Sequence, residues 1–342
     1  MRRHLASHAV RVITGKMKRV SIAPDEPRSL YIELTNRCNY RCPICPLTTS
    51  KRAKKDMDFS IFKKIIDDMR IWNSHRTSLA LHVFGEPFLY KQIFDCFDYI
   101  EDSLRECKIY ISTNFSVVTR PQIERLFYPR AHNVDIGLWI DAFSAETYGK
   151  QRGESHCYQK VMENIDYLIE LKQRYASQRP QFHIGMILTR NNQHEEKEFI
   201  EYWKERLKGL KGVDIITRVS HDWSGQISGN EVLLKKRGPF SYRNICTMPF
   251  GSMVVFSNGD VGLCCYDVDH QITVGNVTQD YLKDIWSSSE AEAFRESMRS
   301  FALDSFPLCG NCMQYNKSFL HLFQRIFAMI FRKDSWESSI EI

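Results

Sequence analysis

Hydrophobic positions in this chain alternate between two periods. Short apolar, β-branched runs are separated by stretches where apolar residues recur every three or four positions, the spacing of amphipathic helices. The runs that predict strands are SLYIELT (29–35), SLALHVF (78–84), CKIYIST (107–113), VDIGLWI (134–140), FHIGMIL (182–188) and VDIITRV (213–219). Helical spacing falls near 58–72, 90–104, 121–127, 157–175 and 193–208. Strands that alternate with helices predict a parallel sheet.

Six such units predict the fold class: α/β, a partial (β/α)6 TIM-like barrel over residues 29–219. The sequence shows no early Gly-rich phosphate loop, which disfavours a dinucleotide-binding fold. Functional residues in parallel barrels lie at the carboxyl ends of the strands. Such residues do follow the first four predicted strands: three cysteines, then GEP, then TN, then Asp141.

The chain continues beyond the predicted barrel with a linker and a small second domain. Residues 220–245 contain WSGQISGN, a loop-like composition that predicts the linker. Residues 246–316 bear several cysteines and predict a separate domain. Its segment MVVFSNGDVGLCC is typical of a hairpin that turns at Asn258-Gly259. A helix is predicted over 279–300.

Both ends of the chain have an amphipathic pattern. Residues 1–28 form a basic arm, whose first twenty positions hold six Arg or Lys and no acid. The tail, residues 317–342, contains FLHLFQRIFAMIFRK, which is too short to span a bilayer. Segments of this kind lie on membrane surfaces or pack on the protein body, and an Arg-rich, acid-free start is also typical of transit peptides. We therefore expect a cytoplasmic protein, with peripheral membrane contact through both termini as one hypothesis.

Composition narrows the class of partner. The chain has 342 residues, 43% of them hydrophobic, enough to bury the core of one large and one small domain. The net charge of +6 resides in the first twenty residues, and the remainder balances 41 basic against 41 acidic residues. A neutral body predicts no nucleic-acid partner. Because the sequence shows no secretory signal, its eleven cysteines are expected to be metal ligands or free thiols rather than disulfides.

Three of these cysteines lie within eight residues, in CNYRCPIC (38–45). Cys38, Cys42 and Cys45 supply three thiols from one loop after the first predicted strand. A cubane 4Fe–4S cluster normally takes four cysteines, so three would leave one iron open to another ligand. A zinc site more often shows two CxxC pairs, and the second pair here is the distant Cys309–Cys312. The loop predicts a metal site and favours an open cluster.

With the motifs that follow it, this loop resembles the signature of radical S-adenosyl-L-methionine (SAM) enzymes. GEP resembles the motif that meets the methionine amino group, and DAFSAETYGKQRG (141–153) resembles the fourth-strand segment whose arginine meets the carboxylate. The resemblance implies a 4Fe–4S cluster on Cys38, Cys42 and Cys45 whose open iron binds SAM. The cofactor-binding residues that it implies are Ile44, Gly85, Glu86, Pro87, Asn114, Asp141 and Arg152. One position departs from the family pattern: Trp139 stands where relatives often carry serine.

A second set of cysteines comprises Cys246, Cys264, Cys309 and Cys312. Alone, these four could equally hold structural zinc. With NGDVGLCC, GNV and IW nearby, the region resembles the SPASM/Twitch extension of radical SAM enzymes. Since no cysteine follows Cys312, it resembles the shorter Twitch type, which implies one auxiliary 4Fe–4S cluster on four cysteines. Cys265 either packs or donates a hydrogen atom to a substrate radical.

The resemblance implies an enzyme that reductively cleaves SAM and abstracts a substrate hydrogen atom. An external electron donor such as flavodoxin or ferredoxin would supply the electron. Twitch-type relatives oxidise or epimerise carbinol carbons, which predicts a small-molecule substrate of the sugar, cyclitol or saccharide-linked type. The motifs are compatible with both net oxidation and redox-neutral chemistry.

Two other functions remain as alternatives. The first is crosslinking or epimerisation of a ribosomally made peptide. The roughly 28 residues before the first strand are too few for a separate leader-binding module, which disfavours this function. The second, remote alternative is a non-enzymatic zinc or Fe–S binding protein.

Overall fold

The computed structural model describes most of the barrel and of the second cysteine region. The described residues are 22–72, 77–104, 107–129, 132–153, 157–176, 179–227, 229, 231–233, 241–243, 245–303, 306–312 and 316–318. The basic residues of the N-terminal arm, 1–20, and the apolar tail segment, 319–333, lie outside these ranges. No helix in the described part has the length and hydrophobicity that crossing a bilayer requires.

Strands and helices alternate through the first two thirds of the described chain. The strands are β1 (Ser29–Ile32), β2 (Ser78–Ala80), β3 (Ile109–Thr113), β4 (Val134–Trp139), β5 (Gln181–Leu188), β6 (Val213–Val219), β7 (Ser241–Arg243), β8 (Ser252–Val255), β9 (Asp260–Gly262), β10 (Thr273–Asn276) and β11 (Asn316–Ser318). The helices are α1 (Phe59–Trp72), α2 (Ile93–Ser103), α3 (Arg120–Arg125), α4 (Ala145–Arg152), α5 (Tyr158–Tyr175), α6 (Glu196–Arg206), α7 (Met248–Gly251), α8 (Leu282–Trp286), α9 (Ser289–Arg299) and α10 (Pro307–Asn311).

Six parallel strands form the wall of the barrel. Their order is β1-β2-β3-β4-β5-β6, with every neighbouring pair parallel. Helices α1 to α6 connect successive strands, as right-handed parallel crossovers require. The predicted α/β class with six strand–helix units is confirmed, and β6 is an edge strand of the sheet.

The first two strands end earlier than their hydrophobic runs predict. Beyond Ile32, the backbone of Leu34 accepts a hydrogen bond from Met57 N (2.8 Å), and Thr35 forms an isolated bridge with Asp56. Leu34 is therefore bonded to the following loop, although Glu33 N still donates to Val255 O of β8 at 2.8 Å. β2 likewise stops at Ala80, before the GEP segment.

The second cysteine region extends the sheet of the barrel instead of forming a sheet of its own. β8 pairs in parallel with β1, and β9 and β10 continue the sheet in antiparallel order. The predicted hairpin is confirmed, because Val255 pairs with Val261 and Gly259 turns the chain at φ +91°. The alternating pattern of the hairpin gives no sign of the distant partner β1, so this pairing was not predicted.

The helix predicted over 279–300 is wrong in one respect, because two helices occupy this segment. α8 ends at Trp286 and α9 begins at Ser289. Between them the Ser288 side chain accepts a hydrogen bond from Ala291 N (3.1 Å) and caps α9. Serine at this position competes for backbone donors, which favours a helix start over continuation.

Candidate active site

The first cysteine loop follows the carboxyl end of β1, with Cys42 buried and Cys38 and Cys45 half-buried. Burial, with contributions from Glu86 and Cys42, raises the pKa of Cys38 to about 11. Burial and the neighbouring Cys42 raise the pKa of Cys45 to about 12. The Cys38 sulfur accepts a hydrogen bond from Tyr40 N at 3.4 Å. Cys42 lies within the hydrophobic core, and Cys38 and Cys45 pack against it.

The GEP segment packs directly on this loop. Gly85 has φ +94°, and a Cβ there would lie 2.3 Å from the carbonyl oxygen of Thr35 and 2.8 Å from that of Arg37. Only glycine fits both the backbone conformation and the close approach. The neighbouring Glu86 N donates to Arg37 O at 2.7 Å. The glycine therefore fixes the following carboxylate beside the cysteines.

Glu86 is 2% exposed and connects two strand ends. Its carboxylate accepts hydrogen bonds from Thr113 Oγ1 (2.6 Å), Asn114 N (2.8 Å) and Phe88 N (3.1 Å). Pro87 begins the 3-10 turn that supplies the Phe88 donor. Burial raises the pKa of Glu86, and these three donors oppose the rise. The carboxylate therefore lies at the carboxyl ends of the strands, where functional residues of a parallel barrel are expected.

Asn114 ties the end of β3 to the cysteine loop. Its Nδ2 donates to Asn39 Oδ1 at 3.0 Å, and its Oδ1 accepts from Ser116 Oγ at 2.7 Å. The side chain is 7% exposed. It lies where the TN segment was expected, next to the loop that carries Cys38.

Arg152, at the end of α4, lies in a buried ion pair. Its Nη2 is 3.1 Å from Asp141 Oδ2 and also donates to the Trp139 carbonyl oxygen. Its Nη1 donates to the Cys42 sulfur at 3.7 Å. Although burial opposes the charge, Asp141 and Cys42 raise the pKa of Arg152. The sequence anticipated a guanidinium directed at a cofactor carboxylate and did not anticipate this intramolecular partner.

Asp141 completes the same site from the end of β4. It adopts φ +60°, a conformation that Asp tolerates better than most residues. Its Oδ1 accepts a hydrogen bond from Ile187 N at 2.7 Å. Burial raises the pKa of Asp141, and Arg152 opposes the rise. The buried Arg152 Nε has no hydrogen-bond partner among the described residues, so a donor remains for a bound anion.

Trp223 contacts the loop from the segment predicted as a linker. Its Nε1 donates to Ile44 O at 2.9 Å. Its ring lies 4.8 Å from that of His221 and 5.2 Å from that of Tyr266. Tyr266 follows Cys265, so this aromatic group connects the first cysteine loop to the second cysteine region. A single tryptophan in a polar stretch gives no sequence signal for such a contact.

The second cysteine group contains five neighbouring thiols. Burial and the nearby Cys265 and Cys246 raise the pKa of Cys264 well above its usual range. Burial and the same Cys246 raise the pKa of Cys265 to about 12, with a smaller contribution from Cys312. For Cys309, burial, Cys246 and Cys312 raise the pKa to about 12. Cys246, Cys309 and Cys312 pack with the main hydrophobic core, whereas Cys265 packs against the smaller cluster that includes Val254 and Phe256.

Five side chains form a chain of contacts inside the barrel, and the strand register places Tyr31 in the same row as one of them, Tyr110; we call these six the lumen cluster. Its members are Tyr31, His82, Tyr110, Trp139, His183 and Arg218. The Tyr110 hydroxyl is 3.4 Å from His183 Nε2, and the His82 ring lies 4.9 Å from the Tyr110 ring. The Trp139 ring contacts His183 at 5.6 Å and lies under the Arg218 guanidinium, also at 5.6 Å.

Strand parity explains the lumen cluster and could have revealed it. Tyr110 is half-buried between the fully buried Ile109 and Ile111, so it faces the lumen while they face the helices. Gly185 leaves room for the indole, because a Cβ there would lie 2.4 Å from the Trp139 ring. No motif in the sequence pointed to Tyr110 or His183.

Both cysteine groups suit iron–sulfur clusters by the chemistry of their donors. Backbone N–H groups two residues on donate to the sulfurs of Cys38 and Cys264, each at 3.4 Å. Hydrogen bonds of this kind stabilise thiolate ligands. Within the described ranges, no three His, Cys, Asp or Glu side chains are already arranged to hold a single metal ion. The fit therefore rests on the number, burial and grouping of the thiols.

Comparison with known families agrees with this architecture. The model of the radical SAM superfamily matches residues 32–202, and that of the SPASM iron–sulfur cluster-binding domain matches residues 246–313. The chain belongs to the radical SAM superfamily and carries a SPASM domain. Its cofactors are accordingly SAM, a 4Fe–4S cluster and auxiliary iron–sulfur binding in the SPASM region.

Two relatives show the range of the family. The SAM-dependent 2-deoxy-scyllo-inosamine dehydrogenase of Niallia circulans is 19% identical over 82% of this chain and 90% of its own length. The tungsten-containing aldehyde ferredoxin oxidoreductase cofactor-modifying protein of Pyrococcus furiosus is 24% identical over 51% of this chain. This chain spans about half of that relative's length (47%).

A solved structure shows the same fold. Streptococcus suis SuiB, bound to its precursor peptide SuiA, has a TM-score of 0.61 and 14% identity, over 84% of this chain and 71% of its own. At this identity the likeness concerns the fold alone.

Proposed function

We propose that this enzyme removes a hydrogen atom from a carbinol carbon of a polyhydroxylated small molecule, a sugar or cyclitol. The lumen cluster carries this proposal. It places phenol, imidazole and indole groups beside the cofactor residues, and polar groups set among aromatic faces suit a compact polyol. A relative that matches over 90% of its length is a cyclitol-amine dehydrogenase, which supports the same substrate class.

The residues of the first site have distinct proposed roles. Cys38, Cys42 and Cys45 hold the cluster, and the Ile44 segment contacts the adenine. Asn114 lies near the ribose or methionine moiety, and Asp141 orients Arg152. When bound, the cluster and SAM supply the radical that removes the substrate hydrogen atom.

Two buried groups are proposed to bind the charged carboxylate and amino groups of the cofactor's methionine moiety. Arg152 directs its unpaired Nε to the methionine carboxylate, and Glu86 in Gly85–Pro87 accepts from the amino group. Their burial keeps water from both interactions.

Cys246, Cys264, Cys309 and Cys312 are proposed to hold the auxiliary cluster. When bound, this cluster supplies an acceptor for the second electron of a carbinol oxidation. Cys265 is the proposed hydrogen donor if the net reaction is epimerisation, because it packs against the same apolar cluster as Tyr31 of the lumen cluster. An external donor such as flavodoxin or ferredoxin is the proposed source of the first electron.

Isotope transfer tests the proposed function. The reduced holoenzyme is incubated with SAM and cyclitols or sugars deuterated at each carbinol carbon. We expect deuterium in 5′-deoxyadenosine, with a ketone or an epimer as product. The Cys42→Ala variant is the control and should give neither. Absence of transfer from every polyol would contradict the proposal.

The second candidate is radical modification of a ribosomally made peptide. The fold shared with SuiB, whose structure contains a precursor peptide, favours keeping it. The same assay with deuterated precursor peptides decides between the two candidates. Deuterium appears in the deoxyadenosine only when the enzyme has removed it from the labelled substrate.

A further inference from the structure

One guanidinium that has no acidic partner among the described residues faces the lumen of the barrel. Arg218 lies on the edge strand β6, opposite Ile187 of β5. Its side chain turns over the Trp139 ring (5.6 Å). Within the described residues, no carboxylate forms an ion pair with it. Arg218 is exposed, so a ligand can reach it.

Two phenols lie on the far side of the same space. The strand register aligns Tyr31 with Ala80 and Ala80 with Tyr110, so both phenols lie in one row on the lumen face of the sheet. Tyr110 stacks on His183 at 5.8 Å, and His183 contacts the Trp139 ring that Arg218 covers, so these rings connect the guanidinium to the phenol of β3. An arginine on the outer surface of β6 would have no such contacts.

The groups that meet here are mainly hydrogen-bond donors. Arg218 offers a planar fork of N–H groups and no acceptor, and each phenol offers an O–H. Such a set suits an acceptor-only ligand group, a carboxylate or a phosphate. The buried acids Glu86 and Asp141 are bonded to their own donors, and the half-exposed Asp135 lies 3.7 Å from His183 Nδ1.

We propose that Arg218, Tyr31 and Tyr110 form an anion subsite, and that the polyhydroxylated substrate carries a carboxylate or phosphate that binds there. This inference rests on the proposed function, since it specifies the substrate of the same site. Trp139 connects the two parts, because Arg152 holds its carbonyl oxygen and Arg218 covers its ring. A substrate anchored by its charge thus presents its carbinol carbons toward the cofactor residues.

Matched pairs of probes test the subsite by binding. Calorimetry on the oxidised holoenzyme with SAM compares gluconate with glucitol, and myo-inositol 1-phosphate with myo-inositol. We expect at least one anionic probe to bind about 10- to 100-fold more tightly than its neutral partner, the range of a charge-assisted hydrogen-bond set. The two pairs distinguish a carboxylate site from a phosphate site.

Variants locate the preference. Arg218→Gln should reduce the affinity ratio of the anionic to the neutral probe to about 1. Arg218→Lys should keep part of the preference, because lysine retains the positive charge but lacks the planar set of N–H donors. Arg174→Gln is the matched control: this arginine is 59% exposed on α5 and pairs with Glu170. A preference retained in Arg218→Gln would overturn the proposal, as would equal binding of both members of each pair by the wild type.

A salt titration gives a measurement that needs no variant. The preference for the anionic probe should decline between low and high KCl, because salt screens the guanidinium. A preference for the anionic probe that does not change with KCl concentration would contradict the proposed anion subsite. Failure of the subsite is distinct from failure of the proposed function: oxidation of a neutral cyclitol would leave the latter intact, whereas labelled peptide turnover would remove it.

Discussion

The two cysteine groups differ in how the chain assembles them. The first takes its thiols from one short loop, residues 38–45, at the end of β1. The second gathers thiols from the start, middle and end of residues 246–312. Buried charged groups, Glu86, Asp141 and Arg152, adjoin the first. At the second group, the Asp267 carboxylate is bonded within its own turn, where it accepts a hydrogen bond from Ile272 N at 2.7 Å.

This difference separates a site for a charged cofactor from a site for a cluster alone. A zwitterionic ligand needs buried partners of both signs, and such partners are stable only when they are paired beforehand. A cluster held by cysteines needs thiols and an apolar wall. The structure supplies the first kind of site in the barrel and the second beside the hairpin.

A buried ion pair joins the two regions. The Arg52 guanidinium binds both carboxylate oxygens of Glu33, at 2.8 and 2.7 Å. Ser257 Oγ donates to the same carboxylate at 3.0 Å, and His270 Nε2 lies 2.6 Å from Arg52. Arg52 follows the first cysteine loop, whereas Ser257 and His270 belong to the second region.

The largest expected effect separates the two groups by chemistry. Cys42→Ala should reduce SAM cleavage to background, because two thiols cannot hold the first cluster. Cys309→Ala should retain some cleavage and lose the product. Deoxyadenosine and product are quantified together by chromatography. Cys96→Ala, a buried cysteine on α2, is the control and should retain both. Normal cleavage in both cluster variants would refute the assignment.

The next largest effect concerns the buried charges of the first site. Arg152→Met should lower the free energy of unfolding by about 3 kcal/mol, because it leaves Asp141 buried without its counter-charge. Urea unfolding measures the loss. Lys150→Met on the same helix is the matched control, since its exposed pair with Glu146 should contribute less than about 0.5 kcal/mol. Equal stability of the two variants would show that the pair does not stabilise the fold.

Weakening the Arg52–Glu33 ion pair, which we call the junction of the two regions, should lower stability less, and the loss should be spread over both regions. Glu33→Gln leaves Arg52 with weaker acceptors and should cost about 2 kcal/mol. Hydrogen exchange should accelerate in 46–57 and in 256–270 together. Acceleration in only one of these segments would show that the regions are held together by other contacts.

Acid should weaken both regions by a comparable, modest amount. Burial lowers the pKa of His82 to about 4, and burial with the nearby Arg52 lowers that of His270 to about 4. Between pH 6.5 and 4 the unfolded chain binds protons that the folded chain does not, so stability falls as pH falls. Each histidine should cost up to about 2 kcal/mol at pH 5.

Histidine variants assign that loss to a region. His82→Phe should remove the part of the pH dependence of the thermal midpoint that comes from the barrel. His270→Phe should remove the part that comes from the junction. His194→Gln, an exposed control on the surface, should change nothing. A pH profile that none of these variants alters would mean that other groups control acid stability.

Local patterns in the sequence determined much of this protein. The spacing of Cys38, Cys42 and Cys45 is a property of one loop, and the strand–helix alternation follows from apolar periodicity. The hairpin at Asn258-Gly259 was likewise predicted, because two adjacent residues define such a turn. Each of these features depends on neighbours in the chain.

Only the tertiary structure decided what meets across the barrel. β8 lies beside β1, Trp223 binds the Ile44 carbonyl, and Arg152 pairs with Asp141. Arg218 reaches the lumen cluster from an edge strand. These contacts depend on the register of six strands and on how distant segments pack, and the local hydrophobic pattern is the same whichever partner lies opposite. The sequence therefore determined the chemistry of the chain, and packing decided which groups share a site.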